Sequence, residues 1–153
     1  MASTFQKLNL KDQGQIVVLN APESFEPELA TLRGVAVKRD LRDAGAIEFS
    51  LAFVITRKNL DQLAPAVAKK AQGDAVVWFA YPKGSSKKYK SELNRDSGAW
   101  KVLGQAGFEP VRQVAIDEDW SATRFRRVEF IKKMTRDPAH RMTNAGKARA
   151  ARK

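Results

Sequence analysis

Two apolar runs dominate the chain: residues 47–56 (IEFSLAFVIT) and 75–81 (AVVWFAY), with a helix-like segment between them. Strands joined through a helix pair in parallel, because the crossover carries the chain back to the edge from which it started. Both runs are apolar at nearly every position rather than at every second one. Their sheet must therefore be covered on both faces. This pair alone demands a layered α/β architecture and excludes helical bundles and one-sided β-sheets.

The same alternation continues on either side. Residues 16–20 (IVVLN) and 35–38 (VAVK) read as strands. Between them, residues 24–32 (SFEPELATL) read as a helix, with Ser24 as N-cap and Gly34 just past its end. In residues 59–71 (NLDQLAPAVAKKA), Leu60, Leu63, Val67 and Ala71 fall on one stripe. Asn59 and Gln62 have capping-box spacing, and Pro65 predicts a kink or a later start. Residues 94–107 read as a helix capped by Asn94, with Gly107 at its exit. The last strand-like stretches, 111–116 and 123–131, alternate more and are separated only by residues 117–122, which predicts an antiparallel hairpin. The order β-α-β-β-α-β-α-β-β describes one domain over residues 1–131.

Residues 132–153 lack hydrophobic periodicity, contain Asp137-Pro138, and read as a disordered basic tail. The tail holds eight lysines and arginines against Asp137, which is seven of the chain's net charge of +11. Such a segment attracts polyanions without needing a defined shape. There is no cysteine, hence no disulfide or thiol chemistry, and the single histidine, His140, lies in the tail away from any nucleophile. No apolar run approaches the roughly 20 residues that cross a bilayer, so no membrane partner is expected. The first residues, MASTFQKLNLKDQG, lack a signal-type apolar core, and the expected location is cytoplasmic.

Four stretches carry a resemblance: IVVLNAP at 16–22, VVWFAYPK at 76–83, ELNRD at 92–96 and AIDEDWSATRF at 115–125. They resemble a family of small uncharacterised bacterial proteins that share a domain of unknown function. The order of elements also resembles the later half of the Rossmann-like S-adenosylmethionine-dependent methyltransferase fold. The resemblance spans most of residues 10–131 and leaves the tail out. It implies a three-layer Rossmann-like sheet, mostly parallel, closing with an antiparallel β-hairpin and ordered 2-1-3-4-6-5. In working methyltransferases a glycine-rich turn follows the first strand and lets the backbone approach the cofactor. Here that strand ends Asn20-Ala21-Pro22, where proline lacks a donor and neither other residue offers glycine's freedom. The expectation is therefore no cofactor; were the chain an enzyme, its chemistry would be methyltransferase-like.

The candidate site is located by the rule that ligands in open α/β sheets sit outside the carboxyl ends of the strands. The loop at 82–93 carries Lys83, Lys87, Lys88 and Lys90 around Gly84-Ser85-Ser86, a mix of ammonium groups, hydroxyls and free amides suited to an anion. The expected crevice lies at the ends of the first, third and fourth strands and is lined by Asn20, Arg57, Lys83, Gly84, Ser85, Ser86 and Arg95. No P-loop pattern is present. Arg95 and Asp96 have a structural alternative as a helix cap and surface ion pair. Asp117-Glu118-Asp119 offers carboxylates to a hard cation, but successive side chains diverge, and no metal site is expected. The expected function is a small non-catalytic domain holding a small anionic ligand in this crevice. The alternative is a nucleic-acid-associated protein acting through Lys147, Arg149, Arg152 and Lys153 of the tail together with the lysine-rich loop 83–90.

Overall fold

The computed structural model describes residues 4–11, 13–90, 92–93 and 98–131. Arg95, His140 and the tail cations Lys147, Arg149, Arg152 and Lys153 lie outside the described residues.

Six strands form one sheet: β1 (Gln15–Leu19), β2 (Ala36–Lys38), β3 (Ile47–Phe53), β4 (Ala71–Pro82), β5 (Phe108–Ala115) and β6 (Trp120–Arg127). Their order is β2-β1-β3-β4-β6-β5, as expected. β1 pairs in parallel with β2 and β3, and β3 with β4, so the three central strands end on one rim. β6 runs antiparallel to both β4 and β5.

Both sheet faces are covered, as the unbroken apolar runs require. On one face Val17, Leu19, Ala52, Val77 and Phe79 pack with Leu60, Ala64 and Val67 of helix α3 (Arg57–Lys70) and with Trp100 and Leu103. On the other, Ile16, Val18, Phe49, Leu51 and Trp78 pack with Phe5, Leu8 and Phe25. Phe5 belongs to a short helix at Thr4–Lys7, which sequence patterning did not reveal. It is held by burial of Phe5 and Leu8, and the Trp78 indole donates to the Leu8 carbonyl at 2.8 Å.

The helices differ from expectation at their ends. The capping box of α3 is Thr56 with Asn59, three residues earlier than the Asn59–Gln62 pairing: Thr56 Oγ1 accepts from the Asn59 amide at 3.1 Å, and Asn59 Oδ1 accepts from the Thr56 amide at 3.4 Å. α3 runs unbroken through Pro65, whose ring is on the solvent side, where water can satisfy the carbonyl left without a donor. The stretch at 24–32 splits into a 3₁₀ turn at Glu23–Phe25 and one helical turn at Glu26–Leu29; Ser24 lies inside the turn and does not cap. Residues 98–107 give only a 3₁₀ turn at Gly98–Trp100 and a short helix at Lys101–Gln105, while Gly107 takes the expected left-handed exit at φ 91°. β6 begins at Trp120 rather than Thr123 and ends at Arg127, followed by a 3₁₀ turn at Val128–Phe130. Among the described residues no helix is long and apolar enough to cross a membrane.

Candidate functional site

The rim at the carboxyl ends of the central strands is built by two segments that hold each other. β4 ends at Pro82, and the next amide, Lys83 N–H, donates to the Asp119 carbonyl at 2.8 Å. This bond stitches the lysine loop to the turn of the β5–β6 hairpin. Ser86 organises the rest of the loop. Its amide donates to the Lys83 carbonyl at 3.0 Å, closing a tight turn over Gly84-Ser85. Its hydroxyl donates to Asp119 Oδ1 at 2.7 Å and accepts from the amides of Lys88 and Tyr89 at 3.2 and 3.1 Å. On the hairpin side, Asp117 Oδ1 accepts from the amides of Asp119 and Trp120 at 2.8 and 2.9 Å, an Asx turn that fixes Asp119.

Aromatic packing anchors the same loop. The Tyr89 ring lies 5.0 Å from Trp120, and the Lys88 ammonium sits 5.5 Å from the Tyr89 centroid. The far end is tied down too: Glu92 N–H donates to the Ile55 carbonyl at 3.1 Å, and Glu92 Oε1 accepts from the Arg57 amide at 2.9 Å. A loop that composition marks as solvated is thus pinned at its start, middle and end.

Between loop and hairpin turn lies a hollow of about 490 Å³ lined by Ser85, Lys87, Lys88, Glu118 and Asp119. One wall carries two ammonium groups and a hydroxyl. The other carries two carboxylates, one of which already accepts the Ser86 proton. The arrangement suits a ligand whose anionic group meets the lysines while a donor or cationic group meets the acids. Among the described residues, no three or more His, Cys, Asp or Glu side chains are grouped to hold a metal ion.

The expected site residues are distributed unevenly around this hollow. Ser85 lines it. Lys83 and Ser86 shape its edge through their backbone and hydroxyl bonds, and Gly84 lies in the turn between them. Asn20 follows β1 and Arg57 opens α3 after β3, and neither is among its lining residues. Phe53, the last residue of β3, packs on Phe25 at 5.0 Å and on Trp120 at 5.1 Å within the core of one sheet face. The lining of the hollow comes instead from the loop after β4 and the turn before β6. Glu118 and Asp119 were legible in the sequence as an acidic turn, but only the register that sets Pro82 opposite Trp120 brings them to the lysines. That register also places the start of β6 at this rim and its end, from which the chain continues toward residues 132–153, at the opposite one.

Asn20 corrects one expectation. Its φ is 57°, the left-handed conformation that glycine usually supplies, so the chain makes the bend after β1 without glycine. The bend is not an open backbone cradle, however. The Asn20 side-chain amide reaches the Phe53 carbonyl at 3.5 Å, and Pro22 contributes no donor.

No family model matches the chain, and no curated protein matches it. Solved structures do. A SAM-dependent methyltransferase from Aquifex aeolicus aligns with a TM-score of 0.59 and 11% identity over 81% of this chain and 87% of that one. The ribosomal protein L11 methylase from Lactobacillus delbrueckii subsp. bulgaricus aligns at 0.51 and 13%, covering 81% and 76%. Magnesium protoporphyrin IX methyltransferase from Synechocystis PCC 6803, with bound SAM, aligns at 0.52 and 12%, covering 81% and 74%. At these identities the likeness establishes the fold: a Rossmann-like, methyltransferase-like sheet closed by an antiparallel pair. The side chains at Asn20-Ala21-Pro22 do not fit a glycine-type cofactor turn.

Proposed function

We propose that this methyltransferase-like domain binds a small anionic ligand, without catalysing its conversion, in the hollow at the carboxyl end of β4. The observation that carries the reading is the pinned lysine loop. Ser86 commits its hydroxyl to Asp119, Lys88 and Tyr89, and in doing so presents Ser85, Lys87 and Lys88 to one opening. A loop whose backbone is already held loses less entropy on binding than a free one. The facing carboxylates of Glu118 and Asp119 favour anions that also carry an amino or hydroxyl group over bare polyanions.

Calorimetric titration of the full chain with inorganic phosphate, pyrophosphate, adenine nucleotides and S-adenosylmethionine tests the proposal. At least one should bind, and Lys87→Glu with Lys88→Glu should weaken it at least about tenfold, the cost of roughly 1.4 kcal/mol of lost attraction. No heat and no melting shift with any of them would overturn it.

A further inference from the structure

A register row crosses one face of the sheet: Val18, Leu51, Trp78, Arg124 and Arg112, each the cross-strand partner of the next. The first three are fully buried among Phe5, Leu8 and Phe25. The last two are arginines; Arg124 is half-buried beside Trp78, and Arg112 is exposed on the edge strand. The Nε of Arg124 is buried and has no hydrogen-bond partner. Asp74 is the acid whose charge favours Arg124, yet Arg126, on the same face, already holds both its oxygens at 2.7 and 2.6 Å. Burial, reinforced by Arg126 and Arg112, pushes the Arg124 guanidinium below its usual pKa. Like charges directly opposite in an antiparallel pair destabilise the sheet, and a buried N–H without an acceptor costs more.

We propose that Arg112 and Arg124 together clasp a phosphate group on this face. Two guanidinium forks on directly paired residues start about 5 Å apart at Cα on one sheet face, close enough for both to reach a single tetrahedral oxyanion. Phosphate offers enough acceptor oxygens for both forks, and its charge relieves the repulsion between them. Arg112 is exposed on β5, which among the described residues is an edge strand of the sheet. The site is independent of the rim hollow and shares no lining residue with it. The phosphate has two sources, a free small molecule or the phosphodiester backbone of a single-stranded nucleic acid.

The test is an NMR titration of the full chain that tracks arginine Nε–H signals, first with inorganic phosphate and then with a short single-stranded oligonucleotide. The expected result is movement of the Arg112 and Arg124 signals that saturates with phosphate, disappears in Arg112→Gln, and persists when Lys87 and Lys88 are both alanine. Arg112 is exposed, so its variant folds even if Arg124→Gln does not. If the oligonucleotide moves the same signals, with an effect that fades as salt rises and is displaced by phosphate, the source is nucleic acid. If only phosphate acts, the source is a small molecule. Signals that stay still with both probes, or that move equally in Arg112→Gln, overturn the proposal.

Discussion

The parallel half of the sheet and its antiparallel end are made of different material. In β1, β3 and the second half of β4 almost every side chain is buried, and both faces are packed by apolar residues. In β5 and β6 the pattern breaks up: Arg112, Gln113 and Ala115 are exposed, Arg124 and Arg126 are partly so, and Pro110 sits in the outermost strand. Charge and proline on an edge strand prevent further strand pairing. The two halves thus differ in what they contribute. The parallel strands bury most of their side chains, while the hairpin supplies the acidic wall of the hollow and the paired arginines.

The sharpest way to break this comparison is truncation on each side. Trp78→Ala should destabilise the fold by about 3–5 kcal/mol, because it empties a fully buried site and removes the indole bond to Leu8. Val111→Ala on β5, where the side chain is 38% exposed, should change stability by less than about 0.5 kcal/mol. Urea denaturation measures both, and equal effects would end the distinction. An effect between these two is expected at Ser86→Ala, about 1 kcal/mol, concentrated in the lysine loop. Amide exchange at Lys88 and Tyr89 should quicken while the protection of β3 is unchanged; uniform loss across the sheet would show that the loop is part of the core. The smallest effect lies beside β2. Asp40 is held down to about 2, first by the Arg42 side-chain hydrogen bond and then by the Arg42 amide. A depressed carboxylate contributes stability above its ordinary value of 3.8 and loses it as pH falls through about 2. Asp40→Asn should therefore flatten the acid limb of the stability curve slightly, and salt should shrink the difference; an unchanged curve would mean that the pair contributes nothing.

Much of the fold was legible because it is written locally. The unbroken apolar runs at 47–56 and 75–81 require a two-sided parallel sheet, and the short link at 117–122 requires a hairpin. Element ends were less legible. Thr56 rather than Asn59 caps α3 because the chain leaves β3 three residues sooner than the apolar run stops, and Thr56 takes the extended conformation of a cap. The candidate site was half visible. The lysine loop stands out by composition, but the acids that face it across the hollow come from a segment more than 30 residues away.

The amino-acid order alone thus determined the layers, the strand directions and the basic character of the chain, since these arise from hydrophobic period, crossover length and charge count. The tertiary structure alone decided which charges meet. Opposing Pro82 with Trp120 sets Lys87 and Lys88 against Glu118 and Asp119, and the pairing of β5 with β6 sets Arg112 directly opposite Arg124. A one-residue slip would turn every side chain of β6 to the other face, so these encounters depend on long-range register, which no local pattern encodes.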